Sequence, residues 1–204
     1  MTIQLSQAVK NHRNLPPDFW FDLESQGISA AVIHSRLIGW DEEHVTIPIV
    51  SRDRKVIGFE YATFDENGRL VTMPQEGPGP YLYGEPVLNV NPQEVVLTEG
   101  VTESLILSSH GFNALSATGD GLSFRTEWAP VLQKVPNVFL CFKRASESIQ
   151  AALGIRELVP HVRIVTLPPE VGQGGGLYEF FVELEATTED FRQLLKRAAT
   201  SSDA

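Results

Sequence analysis

The chain has 204 residues, 42% of them hydrophobic and 21% charged, with a formal charge of −10. At this length roughly 70% of the unfolded surface can be buried without a covalent staple, and Cys141, the only cysteine, excludes an intramolecular disulfide framework and any Cys-rich zinc module. The acidic balance sets the field of the whole molecule against phosphate backbones, and no stretch approaches the roughly 20 apolar residues that span a bilayer, so a cytoplasmic protein with no membrane partner is expected.

Residues 1–15 lack periodicity and read as an arm ending at Pro16-Pro17, since proline is tolerated in the first turn of a helix. Phe19 and Leu23 predict a short amphipathic helix closed by Gly27. Ser29 as N-cap, with the stripe Val32, Ile33, Leu37 and Ile38, predicts a second that ends at Gly39. Residues 45–50, 55–64 and 69–73 read as strands joined by the turns Ser51-Arg52-Asp53 and Asp65-Glu66-Asn67-Gly68, an antiparallel meander. Residues 75–80 form a stiff loop before Tyr81-Leu82-Tyr83-Gly84.

From about Asn91 strands and helices alternate. Strands are predicted over 94–98, 114–117, 138–142 and 162–167, and helices over 102–110, 124–133 and 146–153. This rhythm calls for a largely parallel sheet covered by helices. Thr187 with Asp190 resembles a capping box, and Phe191, Leu194, Leu195 and Ala198 form a stripe that should dock on the body or on a partner. The expected organisation is a small α+β lobe over 1–92, an α/β domain over 93–185, and a helix with tail over 186–204.

Glu99 stands at the carboxyl end of the run Val95-Val96-Leu97-Thr98, and Gly100 lets the chain turn sharply into a helix carrying Glu103. In open α/β sheets ligands bind outside this end of the strands. The segment, with an acid three positions after the glycine, resembles the first motif of the Toprim fold. Gly111-Phe112-Asn113-Ala114-Leu115-Ser116-Ala117 and Thr118-Gly119 are similar to the second Toprim strand and its turn. The stretch before them is similar to the amino-terminal lobe of the bacterial primase catalytic core, through Ile38-Gly39-Trp40, Thr46-Ile47-Pro48-Ile49, Val56-Ile57-Gly58-Phe59 and Tyr81-Leu82-Tyr83-Gly84. The resemblance covers about residues 18–183. It implies an α/β fold: a Toprim-like parallel sheet flanked by helices, preceded by a small α+β primase-type lobe.

The departures from that family carry as much information. Where its strand corresponding to 138–142 ends in an Asp-x-Asp metal pair, this chain has Lys143-Arg144-Ala145. The resemblance therefore implies that the Lys143 ammonium takes the electrostatic role of the divalent cation and pairs with Glu99. Charges a few ångströms apart interact by several kcal/mol at intermediate dielectric, and magnesium loses its main carboxylate anchors. The lobe's basic positions hold Ala62 and Pro80, and the third acidic motif is reduced to Glu179 after Gly174-Gly175-Gly176-Leu177-Tyr178. One cysteine cannot build the zinc-binding domain that precedes the family's core.

The candidate residues follow. Glu99, Glu103 and Glu179 are the residual catalytic set; Lys143, Arg144, Lys134, Gly100 and Gly119 are candidates for binding, with Lys134, Lys143, Arg144 and Arg156 read as one basic cluster near the sheet edge. No cofactor is expected. Were a metal held, Glu99 and Asp120 would be its ligands, although Asp120 between glycines is also an ordinary turn residue. Residues 172–176 fail the P-loop and dinucleotide patterns and read as a flexible loop; the five histidines show no metal-ligand spacing. The expected function is a catalytically degenerate, primase-like accessory factor that binds nucleic acid or a protein of a replication, mobile-element or defence assembly. The alternative is an active magnesium- or manganese-dependent nucleotidyl transferase or nuclease with a rearranged acidic site. A third reading is a protein-interaction module that uses the tail helix and the acidic surface, a homodimer being one form of it.

Overall fold

The computed structural model describes residues 3–73 and 79–200. Two sheets organise it. The first is the predicted meander, β1 (Gly39–Trp40), β2 (Val45–Val50), β3 (Val56–Phe64) and β4 (Leu70–Thr72), antiparallel throughout in the order β1-β2-β3-β4. Pro48 sits within β2 opposite Phe59, where β1, which pairs only as far as Thr46, no longer needs an amide donor.

The second sheet has the order β5-β7-β6-β8-β9, with β5 (Leu82–Tyr83), β6 (Glu94–Thr98), β7 (Ala114–Ala117), β8 (Asn137–Cys141) and β9 (Arg163–Ile164). All neighbours are parallel except β5, which adds antiparallel to β7 from the chain that leaves the meander. β6 and β8 are continuous apolar runs because both faces are covered. Val96, Phe139 and Cys141 join a core shared with the first sheet, while Val95, Leu97, Val138 and Leu140 face a second cluster. The helices α4 (Val101–Ser109) and α7 (Thr188–Thr200) contribute to the former, and α5 (Ala129–Leu132) and α6 (Ser146–Leu158) to the latter.

Several sequence expectations change. The described part of the expected arm, from residue 3, is not an arm: α1 covers Ile3–Arg13 and packs on the meander. Its polarity hid it, because it docks by close backbone approach, the absent Cβ of Gly39 making room for the Asn11–His12 backbone, and by a buried Asn11 amide that donates to Thr46 Oγ1 at 3.2 Å. The two predicted helices that follow are α2 (Pro17–Ser25) and α3 (Ala30–Ser35). α3 stops early because Leu37 adopts a positive φ of 54°, turning Ile38 into the core instead of extending the stripe. The helix expected over 124–133 is a 3-10 turn at Thr126–Trp128 followed by the single turn of α5. Of the loop over 75–80, residues 75–78 lie outside the described residues. The tail helix docks on the body: Phe191 and Leu195 are buried, and the Phe191 ring lies 5.0 Å from that of Phe112. Its cap is reciprocal, Thr187 Oγ1 donating to Asp190 Oδ2 at 2.6 Å and Asp190 N–H to Thr187 Oγ1 at 3.2 Å. Of the two expectations for its apolar stripe, docking on the body or on a partner, the first is the one observed. Among the described residues no helix is long and apolar enough to cross a membrane.

Candidate functional site

A cavity of about 250 Å³ opens at the carboxyl end of the second sheet and is closed from the other side by the meander. Its wall carries Glu99, Glu103, Asp120, Lys143, Glu179 and Arg69. Four elements converge there: the β6–α4 turn, the loop after β7, the end of β8, and the glycine-rich segment before Glu179. Gly100 takes a φ of 84° at this turn. Gly121 seals the second element against the first, since a Cβ there would stand 2.5 Å from the Gly100 amide nitrogen.

The Lys143 side chain reaches Glu99, with Nζ to Oε1 at 3.9 Å, and the Lys143 backbone N–H donates to Glu99 Oε2 at 3.1 Å. Glu99 is nearly enclosed, whereas the lysine side chain is 42% exposed. Glu179 is held differently. It accepts from the Gly176 N–H at 2.7 Å and from Arg69 Nη1 at 2.5 Å, while Nη2 of the same guanidinium reaches Glu183 at 2.6 Å and its carbon stands 4.4 Å from the centre of the Tyr178 ring. Burial pushes the Glu179 carboxyl up, but the Gly176 amide and the Arg69 guanidinium outweigh it and hold the group below the usual carboxylate range.

Glu103 lies beneath these pairs. It is buried, accepts from the Leu177 N–H at 2.6 Å, and burial pushes its pKa up to about 7 against the opposing effects of that amide and of Lys143; the nearby Glu179 carboxylate pushes it the same way as burial. Gly176 provides the space: a Cβ at that position would meet both Glu103 oxygens at 2.9 Å. Asp120 is committed to its own turn, accepting from the amides of Leu122 and Ser123 at 3.0 and 2.9 Å and from the Ser123 hydroxyl at 2.7 Å. Gly119 is also engaged: its N–H donates to Glu60 Oε1 at 2.9 Å and its carbonyl accepts from Thr72. Among the described residues no group of three His, Cys, Asp or Glu side chains is placed to hold a metal ion.

Two expectations need correction. Lys134 does not belong to this edge, because it precedes β8 at its amino end and lines a separate cavity with Arg52 and Leu88, whereas Lys143 and Arg144 follow its carboxyl end. Arg156 is likewise removed, in the last turn of α6. Charge proximity in sequence does not survive a strand that carries its two ends apart. The glycine-rich stretch is not a free loop: Gly174 N–H donates to the Arg144 carbonyl and Arg144 N–H to the Gly175 carbonyl, both at 2.9 Å, and Gly175 leaves no room for a Cβ against Val171. Arg144 is itself clamped, with Nη1 donating to the Leu167 carbonyl at 2.7 Å.

Sequence reasoning missed Arg69 and Glu60. Arg69 read only as the start of a strand, and nothing local marks its partner 110 residues away. Glu60 carried a signal, a charged residue in the register that places Ala62 inward; it is fully buried, holds the loop after β7 through Gly119, and burial lifts its pKa to about 7.

No family model and no curated protein matches the sequence. Solved structures do. The Aquifex aeolicus primase comprising zinc-binding and RNA polymerase domains superposes with a TM-score of 0.75 at 18% identity, over 95% of this chain and 60% of that one. The DnaG primase catalytic domain bound to ssDNA gives 0.73 at 20% identity, over 95% and 79%. A bacteriophage T7 structure of lagging-strand DNA polymerase interacting with primase domains bound to an RNA/DNA hybrid gives 0.63 at 14% identity, over 85% and 89%. The fold is that of the primase catalytic core, a Toprim-type α/β domain joined to an antiparallel lobe. The chain spans about three fifths of the length of the Aquifex protein.

Proposed function

We propose that this protein is a primase-like factor whose acidic site no longer performs metal-dependent phosphoryl transfer, and that it serves by binding nucleic acid or a replication, mobile-element or defence protein. The observation that carries the reading is the pairing of the two outer carboxylates with the protein's own cations, Glu99 with Lys143 and Glu179 with Arg69. A divalent ion seeks several oxygen ligands, and two-metal chemistry needs carboxylates free to bridge the ions. Here both oxygens of Glu179 already accept hydrogen bonds from Arg69 and Gly176, Asp120 is spent on its turn, and Glu103 is buried in surroundings that favour its neutral form. The donor set therefore does not fit the metals that the fold family implies, and no chemical step is routed through them. A nucleic-acid or replication-protein partner is supported by what the similar structures hold, ssDNA in one and a polymerase with an RNA/DNA hybrid in another.

The second reading, an active nucleotidyl transferase or nuclease, draws on one observation: Glu99, Glu103, Asp120 and Glu179 all line the same cavity. Calorimetric titration with magnesium and manganese near neutral pH separates the two. We expect no stoichiometric binding to the natural protein and the appearance of manganese binding in the double variant Lys143→Asp, Ala145→Asp. Stoichiometric metal binding by the natural protein, with primer synthesis or DNA cleavage lost on Glu99→Gln, would overturn the proposal.

A further inference from the structure

A second cavity, of about 450 Å³, adjoins the first and shares Lys143 with it. It lies between the start of α6 and the end of β9, and its wall includes Arg144, Ser148, Ile149, Ile164 and Gln173. Such a volume suits a small organic ligand.

Its polar end is built for an anion. α6 has 13 residues and no side-chain cap: Ala145 occupies the N-cap position, so no capping side chain satisfies its first amides. Ser148 is completely buried in the wall, and its hydroxyl has no partner among the described residues. The Arg144 Nε is in the same condition, although the other side of its guanidinium is fixed on Leu167. Buried polar groups in native proteins are nearly always paired, so two orphans on one cavity call for a ligand or water. Glu147, the acid in the first turn of α6, is exposed and absent from the wall. The rest of the wall is largely apolar, with the half-exposed Ile149 beside Ser148 and with Ala152, Ile164 and Leu167.

We propose that this cavity binds a small phosphorylated ligand with a compact apolar body, the phosphate seated at the start of α6 and the body against Ile149 and Ile164. A phosphate offers three oxygens to the helix amides, the Arg144 Nε, the Ser148 hydroxyl and the Lys143 ammonium, one more than a carboxylate can present. Lys143 is the one group the site shares with the acidic cavity; the helix amides, Arg144 and Ser148 lie outside that cavity's wall.

The test is calorimetric titration of the full chain, without divalent metal, with phenyl phosphate and with inorganic phosphate. One site is expected, with phenyl phosphate about tenfold the tighter because its ring is buried. Ser148→Ala should weaken phenyl phosphate several-fold. Ile149→Glu, at a position 52% exposed where the fold tolerates change, should weaken it by about tenfold or more by setting a carboxylate at the mouth. Absence of binding by either anion, or binding that Ile149→Glu leaves unchanged, would overturn the assignment.

Discussion

Glu99 and Glu179 share one cavity and each faces a basic side chain of the same protein, yet the two pairs differ in kind. Arg69 meets Glu179 and Glu183 at once with a planar fork, stacks on Tyr178, and reaches across from the meander to the segment that follows the glycines. Lys143 meets Glu99 at the outer limit of an ion pair, and the stronger tie is its backbone N–H. Guanidinium geometry fixes a position, whereas an ammonium on a flexible stem only supplies charge. One side of the site is thus a structural clamp between the meander and the segment that follows the glycines. The other is a charge that can move while Glu99 stays anchored.

The contrast breaks most visibly at the clamp. Arg69→Ala leaves Glu179 and Glu183 facing each other without a cation and removes two charge-assisted hydrogen bonds. With the arginine partly exposed, the expected loss is about 2–3 kcal/mol in urea denaturation; a loss below about 0.5 kcal/mol would put the two pairs in one class.

Next in size is the buried carboxyl between them. Glu103 retains its proton in the folded protein up to about pH 7, while in the unfolded chain it releases it near its ordinary value of 4.5. Between those values the folded state binds more protons than the unfolded state, so this group makes stability fall as pH rises from about 4.5 to about 7, and the loss is complete above that. Glu103→Gln keeps an oxygen for the Leu177 N–H and removes the titration. Relative to the natural protein the variant should gain on the order of 2 kcal/mol between pH 5 and pH 8. Glu60, raised to about the same value, leaves a slope of the same sign in the variant. A difference between the two proteins that does not vary with pH would show that Glu103 ionises freely in the fold.

How far this was legible in the sequence depends on whether a feature is local. The β6 run, the Glu99-Gly100 turn and the buried strand β8 were readable because apolar runs, glycine at a sharp turn and strand length are properties of a few neighbouring residues. The Lys143–Glu99 pair followed from a resemblance that aligned two strand ends. α1 was not readable, because its contacts are backbone approach at Gly39 and one buried amide, neither of which leaves an apolar period. Arg69 was hidden for the same reason, since its value lies wholly in what the fold brings to it. The glycines between 172 and 176 show why a glycine run is ambiguous: Gly172 and Gly174 take positive φ in open space, whereas the Val171 carbonyl and the Glu103 carboxylate crowd Gly175 and Gly176.

The smallest expected effect is the sharpest test of the contrast. Lys143→Ala deletes the ammonium but preserves the backbone N–H that donates to Glu99 Oε2, and the lost pair is long and solvent-screened. Stability should change by about 0.5 kcal/mol or less. The same change removes one of the influences that hold the Glu103 pKa down, so the pH at which stability levels off should move upward. A small change at pH 5 with a higher plateau pH would place Lys143 as a mobile charge over the buried acid. A loss as large as that of Arg69→Ala would make it a second clamp, and Glu99 would then owe its position to the ammonium rather than to the chain itself.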